Sequence, residues 1–456
     1  MNMEAAKVTL SRKARLGAAL RRIWAPFRRV SLLSWLLGAL AAVVMEQIAG
    51  TQVAWILGLS KIPFLFGFAI VLETAVHTPS ALPFVLVSAV LYVSIIYILP
   101  VLLVARLTTG LGNRIAAFFM NRSFFLGVVV HLVLLYATIH IWSDISDYRV
   151  LVMRLTLIAI MVTLSLNLVN GYMGEFSCSH PGFMALGAYA ASVFSLVFFV
   201  DDRLFGAPLL PASMGPFMFP LGLIAGGLVA ALGAILVAVP SFKTRGDYLA
   251  IISLAFMFIV KSLFENLEFV GGPRGMGGQP EWASLPVVFG WAILSVWIIN
   301  NFVRSTVGKA MNAVRDGEGA AEAMTVNTQK TKMVTFLFAA FWAGVAGGLL
   351  AHVVSYVNPG SFGIQKLAEV LAMVYFGGLN SVVGSVVGAV GYSVLSEALR
   401  SLEIYKWIII PVLLILVMIF RPTGLIAFKE FDVAKLIAPK DERIEGEEVE
   451  YAPIAD

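Results

Sequence analysis

The chain is poor in cysteine, in charge and in the signatures of catalysis. Charged residues make up 13% of its 456 residues, whereas 59% are hydrophobic, and the mean hydropathy is +0.90. This composition excludes an ordinary water-soluble globular domain. The single cysteine, Cys178, excludes an intrachain disulfide and a cysteine-based metal cluster. The net charge of +5 comes from loops and the N-terminus, so it does not indicate nucleic-acid binding.

Motifs for nucleotide binding and covalent chemistry are also missing. The one Gly-Lys pair, Gly308-Lys309, is followed by Ala310 and lacks the upstream glycine of a phosphate-binding loop. There is no nucleophile elbow, no His/Glu metal constellation and no intramembrane set of carboxylates and bases for proton coupling. We therefore expect no catalytic residue, no metal site and no cofactor in this chain. Energy for uphill transport would have to come from a partner.

Long apolar stretches are what the sequence has instead. Stretches of about 17–25 residues recur along the chain, each able to cross ~30 Å of hydrocarbon as a helix. Since lipid offers no hydrogen-bond partners, such stretches must be helical. The sequence predicts an all-α polytopic membrane protein with about 10–12 transmembrane helices, including broken or re-entrant segments. Segment 62–77 either crosses or lies in the interface, and 367–379 with 382–399 form two short crossings or one re-entrant hairpin.

Basic residues predict the orientation of the spans. Residues 1–30 carry eight Lys and Arg side chains against one acid, Glu4, and three arginines mark 106–122. By the positive-inside rule both stretches are cytoplasmic. Alternation of the spans then places 171–181, 241–247 and 304–332 inside and 201–216 and 265–284 outside, with both termini in the cytoplasm.

The polar loop 304–332 lies between two apolar spans. It contains five basic residues, and the part from Lys309 to Met324 is rich in Ala, Met and Glu, which favours a short helix despite Gly317 and Gly319. A helix with small side chains on the membrane surface would fit a groove on a soluble partner. A solvated connector explains the composition about equally well.

Segment 167–189 is the second unusual stretch. Polar residues crowd between two apolar runs, and Gly171, Gly174, Pro181 and Gly182 should break the helix. Broken helices at membrane depth line cavities or are buried in protein, although a plain cytoplasmic turn is the alternative. The translocation-pathway candidates are Asn167, Asn170, Tyr172, Glu175, Ser177, Ser179, His180 and Tyr189. We do not predict His180 as a metal ligand.

Three GxxxG pairs indicate close helix packing, and packing within the chain is favoured over a dimer interface. These pairs are Gly222/Gly226, Gly344/Gly348 and Gly384/Gly388.

Six sequence blocks in a fixed order carry a family resemblance. They read GYMGEFSCSHPGFMALGAY, TRGDYLAIISLAF, GGPRGMGG, GKAMNAVRDGEGAAEAMTVN, GGLNSVVGSVVGA and RPTGL. The chain resembles the M-type permease subunits of bacterial branched-chain amino-acid ABC transporters over roughly residues 150–430. Residues 1–140 resemble the N-terminal extension of longer members.

The resemblance implies an ABC importer permease fold and a transport subunit, not an enzyme, in the bacterial inner membrane. Implied partners are a second related permease, a periplasmic amino-acid-binding protein and two cytoplasmic ATPases that bind the ATP and Mg. The expected substrates are Leu, Ile and Val. Another small amino acid, an amide such as urea, homodimeric pairing, and a stand-alone secondary transporter or channel all stay open.

The resemblance also divides the chain and assigns a docking loop. The predicted parts are a cytoplasmic basic arm (1–30), an N-terminal membrane extension (31–140), an ABC permease core (150–430) and an acidic cytoplasmic tail (438–456). Loop 304–332 becomes the ATPase-coupling loop, with Gly308, Arg315, Asp316, Glu318, Ala320, Ala321 and Glu322 as its matching residues. A bulky charged residue at Ala321 is expected to uncouple transport.

This chain departs from the family pattern at a few positions. Ser177-Cys178-Ser179-His180 stands where Ser-Leu-Gly-His is common, Glu175 replaces a usual Gln, and Thr325 replaces the Gly that closes the coupling helix.

Overall fold

The computed structural model describes residue 27 and residues 29–59, 62–63, 67–201, 205–242, 248–421, 423–428 and 430–440. Most of the predicted arm 1–30, most of the tail 438–456 and the basic part of loop 241–247 lie outside these residues. The chain divides into two compact units, Met1–Ile145 with Asp432–Asp456, and Ser146–Phe431. The boundary at 145/146 lies between the ranges 31–140 and 150–430 that the sequence analysis assigned.

Helices dominate both units, and the strands are one two-residue pair. In chain order the helices are α1 (Leu32–Ile56), α2 (Phe68–His77), α3 (Pro79–Leu107), α4 (Thr109–Arg122), α5 (Phe124–Ser143), α6 (Asp147–Tyr172), α7 (His180–Phe199), α8 (Ala212–Ser241), α9 (Tyr248–Asn266), α10 (Leu285–Arg304), α11 (Thr306–Asp316), α12 (Glu318–Ala323), α13 (Thr328–Val354), α14 (Ile364–Gly377), α15 (Val382–Ala398), α16 (Lys406–Phe420) and α17 (Val433–Ile437). Strands β1 (Met276–Gly277) and β2 (Tyr356–Val357) pair antiparallel.

Within the described residues, nine helices are long and apolar enough to cross a membrane. They are α1, α3, α5, α6, α7, α8, α9, α10 and α13. Two shorter apolar helices, Val382–Ala398 and Ile408–Val417, bring the total into the predicted range of 10–12. The all-α polytopic architecture is confirmed.

The described residues of segment 62–77 contain one short helix, α2. Helix α2 has 10 residues, so it rises about 15 Å, half of what the ~30 Å hydrocarbon core requires. The long helices α1 and α3 provide two crossings before residue 107. Two crossings satisfy the even number that basic stretches at 1–30 and 106–122 demand.

In the first unit, a carboxyl group inside a span is paired within the protein. Glu46 of α1 is buried and accepts a 2.5 Å hydrogen bond from the Tyr97 hydroxyl. Tyr97 lies in the π-helical turn Ser94–Ile98 of α3. An ionisable group at this depth must find such a partner, because lipid offers none.

In the second unit, α14 and α15 form an antiparallel hairpin. Gly378 and Asn380 in the connecting turn have positive φ angles of 128° and 54°. A Cβ built on Gly388 would lie 2.7 Å from the Cα of Gly377, so small residues allow the two helices to touch.

Glycines also set the distance between α7, α8 and α13. A Cβ on Gly226 of α8 would lie 2.7 Å from the Gly187 carbonyl oxygen of α7, and one on Gly344 of α13 would lie 2.9 Å from the Gly226 carbonyl oxygen. The prediction that the GxxxG pairs pack within the chain is confirmed. Van der Waals contact at this range is a main source of helix association in lipid.

We expect Gly226→Ala to destabilise the second unit, because the added methyl group would overlap the Gly187 carbonyl. Overpacking of this kind costs about 1–3 kcal/mol. The matched control is Gly290→Ala on α10, where a Cβ meets nothing within 4 Å. Unfolding in mixed detergent micelles measures both variants, and a Gly226→Ala variant as stable as Gly290→Ala would contradict this packing.

Candidate functional site

The helix break predicted at 167–189 is present. Helix α6 ends in a π-helical turn, Leu168–Tyr172, and α7 begins at His180, with a segment at 174–179 that is neither helix nor strand between them. Gly174 has a φ of +77°, which favours glycine. A Cβ on Gly174 would also lie 2.5 Å from Cγ of Arg315, so the loop 304–332 packs directly on the break.

Asn167 holds the turn of the α14–α15 hairpin. Its side-chain amide donates to Ser385 Oγ at 2.6 Å and to the Ser381 carbonyl at 3.1 Å, and its Oδ1 accepts from the Asn380 N–H at 3.2 Å. The side chain is 1% exposed. Its hydrogen-bonding capacity is therefore used inside the protein.

The side chains of Asn170, Ser177 and Ser179 form hydrogen bonds within segment 174–179 or to it. Asn170 Oδ1 accepts from the Ser177 N–H at 3.2 Å, and the Ser177 and Ser179 hydroxyls lie 2.9 Å apart. Cys178 N–H donates to Ser253 Oγ of α9 at 2.9 Å. Burial raises the pKa of the Cys178 thiol. These bonds satisfy backbone groups that the broken helix leaves without helical partners.

The remaining pathway candidates lie apart from one another. Tyr172 and His180 are buried at the two ends of the break, and His180 packs edge-on against Phe183 at 5.8 Å. Tyr189, further along α7, stacks on Phe264 of α9 at 3.9 Å. The structure thus brings together Asn170, Ser177 and Ser179, whereas Asn167, Glu175, His180 and Tyr189 contact other parts of the chain. Their role in translocation stays a prediction.

The polar loop forms two helices, not one. The chain is helical over α11, interrupted at Gly317, and helical again over α12, so the expectation of a continuous helix from Lys309 to Met324 was wrong. The Val326 N–H donates to the Ala321 carbonyl at 3.0 Å and closes α12. Thr325, the residue before Val326, has a φ of +65°, and this conformation is costly for a β-branched side chain.

The predicted coupling residues divide by exposure. Asp316, Ala320 and Glu322 are exposed, Arg315 and Glu318 are partly buried, and Gly308 and Ala321 are buried. Gly308 lies where α10 turns into α11, and a Cβ there would collide with the Val303 carbonyl. Because Ala321 faces the protein interior, a bulky charged residue there would disturb the loop itself. The exposed residues of α12 are Gly319, Ala320, Glu322 and Ala323, and Met324, which follows α12, is exposed as well.

Lys332 joins the two unusual segments electrostatically. Its Nζ lies 2.6 Å from Glu175 Oε1 and 2.9 Å from Glu318 Oε1, and its side chain is 10% exposed. One ammonium group on α13 therefore holds both the broken-helix segment and the first residue of α12. From the sequence, Lys332 counted only as one of the five basic residues of loop 304–332, and this role was missed. A lone acid at Glu175, facing a basic loop, was the available signal.

A polar cavity of about 260 Å³ lies at this junction. Its walls come from segment 173–175, the end of α8 and the polar loop, and include Glu175, Arg315, Glu318 and Lys332. Arg315 bonds to Asp316 Oδ1 at 2.8 Å and covers the Phe428 ring at 5.4 Å. The Lys332 ion pairs therefore connect three elements, whereas the Arg315–Asp316 pair stays within α11.

We expect Lys332→Met to lower the free energy of unfolding by roughly 1–3 kcal/mol. The variant leaves two carboxylates facing each other without a cation, and the penalty is reduced because the Glu318 side chain is 42% exposed. Lys330→Met is the matched control, since Lys330 is exposed on the same helix. Chemical unfolding compares the two variants, and equal stabilities would show that the junction contributes nothing.

The labelling rates of single introduced cysteines should show which face of α12 is exposed to solvent. In the purified chain, we expect a maleimide to label Ala320→Cys about tenfold or more faster than Ala321→Cys, which is shielded by burial. The native Cys178 should add little background, because burial and a raised pKa keep its thiolate fraction low at neutral pH. Equal rates at positions 320 and 321 would contradict the orientation of α12.

Comparison with known proteins identifies relatives of this chain. Residues 148–419 match the family described as branched-chain amino acid transport system / permease component. The high-affinity branched-chain amino acid transport system permease protein LivM of Escherichia coli K12 is 30% identical over 317 residues, covering 62% of this chain and 71% of the relative. LivH of Salmonella typhimurium is 30% identical over 175 residues, covering 38% of this chain and 56% of that protein.

BraD of Pseudomonas aeruginosa, also a high-affinity branched-chain amino acid transport system permease protein, is 28% identical over 169 residues, covering 36% of this chain and 54% of the relative. No solved structure matches the chain. The family match lies within the second unit and spans both the broken helix and the polar loop. On this match the chain belongs to the family of branched-chain amino acid transport system permease components.

Proposed function

We propose that this chain is the permease subunit of an ATP-driven ABC importer for Leu, Ile and Val in a bacterial inner membrane. The observation that carries the proposal is the junction at Lys332, where the loop that would meet an ATPase is bound to the segment that breaks a membrane helix. The chain itself performs no covalent chemistry. ATP and Mg are held by separate partner subunits.

The exposed face of α12 is the part that fits a partner's groove. Ala320, Ala323 and Met324 present small or flexible side chains next to Gly319. Small side chains allow close approach, and methionine adapts its shape to a partner. Two cytoplasmic ATPases would each receive one such loop, one from this chain and one from a second permease.

Movement of α12 would reach the membrane through specific contacts. Glu318 begins α12 and binds Lys332, and Lys332 binds Glu175 next to the helix break. At the other end of the π-helical turn, Asn167 holds the α14–α15 hairpin. ATP binding and hydrolysis would pull on α12, and α6, α7 and the hairpin would then rock between outward and inward access.

The other subunits follow from the relatives. The chain is similar both to LivM and to LivH, two permease proteins of one named transport system. We infer a heterodimer of this chain with a related permease, supplied by a periplasmic amino-acid-binding protein. In this orientation loop 304–332 and both termini lie in the cytoplasm.

Reconstitution tests the proposal. Proteoliposomes with both permeases and the ATPases should take up labelled L-leucine when ATP is on the side of loop 304–332 and the binding protein is on the other. Uptake by the chain alone, driven by a proton or sodium gradient, would instead establish a secondary transporter. ATP-driven uptake of urea or another amino acid, without leucine uptake, would overturn the substrate assignment.

Ala320→Arg should prevent the ATPases from co-purifying with the permease and should lower uptake about tenfold or more, because a long charged side chain would occupy the docking face. Ala207→Arg, also at an exposed alanine but on the predicted outer face, is the matched control for co-purification. Retention of the ATPases by the Ala320→Arg complex would contradict docking at α12.

A further inference from the structure

A second cavity, of about 270 Å³, lies within the Ser146–Phe431 unit and has a different character. It opens between α6, α14 and α15, and Leu155, Ile158 and Val370 provide apolar walls. Three charged side chains line it as well, namely Lys366 and Glu369 of α14 and Glu397 of α15. Apolar walls with a few convergent polar groups are typical of a small-molecule site.

Lys366 and Glu369 form an ion pair on one helix. Lys366 Nζ lies 2.7 Å from Glu369 Oε2, and the two side chains are 27% and 24% exposed. Lys366 lies in the first turn of α14, where the helix dipole favours an anion and disfavours a cation. The stability of the helix therefore does not explain this order of charges. A lysine that lines a cavity can bind a carboxylate.

Glu397 is held at the edge of the same cavity. Its Oε1 accepts a hydrogen bond from the Tyr148 hydroxyl and lies 3.6 Å from Arg400 Nη1. Arg400 in turn covers the Tyr148 ring at 4.5 Å. The charged groups that line the cavity, together with Arg400, therefore sum to zero.

We propose that this cavity binds a zwitterionic α-amino acid with an apolar side chain during its passage through the permease. The ligand's carboxylate binds Lys366 at the start of α14, its ammonium group binds Glu369, and its side chain packs against Leu155, Ile158 and Val370. The proposal rests on the proposed function, since it names a binding site on that transport route.

Charge balance determines what this cavity accepts. A zwitterion placed against the Lys366–Glu369 pair matches each charge with its opposite and adds no net charge. An amine or a carboxylic acid of the same shape would leave one charge of the pair without a partner, which is costly because the Lys366 and Glu369 side chains are only 27% and 24% exposed. The site should therefore distinguish L-leucine from leucine amide and from 4-methylpentanoate.

The cavity is also connected to the coupling contacts. Thr163 of α6 lies 3.3 Å from the Met373 sulfur of α14, one of the lining residues. Helix α14 then leads to the turn that Asn167 holds. Displacement of the hairpin would change the distance between α6 and α14, which form opposite walls, and so would change the fit of the ligand.

A photoreactive diazirine analogue of L-leucine tests the site in the full chain, purified in lipid nanodiscs. We expect cross-links to map to residues 152–162, 366–373 or 392–397. Excess L-leucine should prevent them, whereas leucine amide and 4-methylpentanoate should not. Cross-links confined to other segments, or equal protection by the three compounds, would overturn the proposal.

Variants distinguish the role of the Lys366–Glu369 ion pair in binding from its role in folding. Lys366→Met should lower the protected labelling about tenfold or more. The matched control is Lys261→Met on α9, which breaks a helical pair of 3.7 Å outside the cavity and should leave labelling unchanged. The exchange Lys366→Glu with Glu369→Lys keeps a neutral pair and should restore labelling. Unchanged labelling in Lys366→Met would refute the assignment.

A further variant tests the site independently, in case the Lys366→Met variant does not fold. Val370→Phe fills the cavity without removing a charge, so it too should lower labelling, and labelling at the wild-type level would refute the site. Uptake by the complete assembly is measured separately. ATP-driven leucine uptake without cross-links in this cavity would refute the binding site but not the proposed function. Absence of any ATP-driven uptake would refute the proposed function.

Discussion

Backbone groups that leave a helix need new hydrogen-bond partners, and at the break at 173–179 the same chain supplies them. Asn170 accepts from the Ser177 N–H, Ser253 accepts from the Cys178 N–H, and Gly174 admits the Arg315 side chain against the backbone. Each contact comes from a different part of the unit. Arg315 and Lys332 of the polar loop both contact this segment, so the break and the polar loop are packed together.

This packing connects the position of α12 to that of the break. A helix of six residues such as α12 is too short to be stable alone, so its position depends on Ala321 packing inward and on the Glu318–Lys332 ion pair. Thr325 is held with φ positive at its end, which adds local strain that the surrounding contacts must offset. The loop is therefore a positioned element, more than a solvated connector.

Sequence reasoning predicted the polytopic helices, the broken segment and the glycine packing because each has a local signature. Twenty apolar residues, a cluster of Gly and Pro, and a GxxxG spacing are visible without a fold. It failed where the outcome depends on distant residues. Ala and Glu favour one continuous helix through Gly317, yet the inward packing of Ala321 and the pairing of Glu318 with Lys332 favour two.

The same limit applies to sites made by several segments. Lys332 meets Glu175 across more than 150 positions, and Lys366 lines a cavity with residues of α6 and α15, so neither environment could be read locally. Asn167 was recognised as unusual, but its partners at 380–385 were not. The polar residues of 167–180 form supports for the break, and their solute contacts remain a prediction.

The two cavities are similar in volume, but one contains ion pairs between different elements and the other an ion pair within one helix. This difference suits the two cavities to different roles. Separating Lys332 from Glu175 and Glu318 would release α12 and segment 174–175 from α13, because the three groups belong to three elements. Opening the Lys366–Glu369 pair separates nothing, because both residues lie on α14. Ions that hold elements together cannot readily exchange partners with a solute without disturbing the fold. An ion pair confined to one helix can exchange partners with a solute repeatedly, as transport requires, because opening it separates no elements.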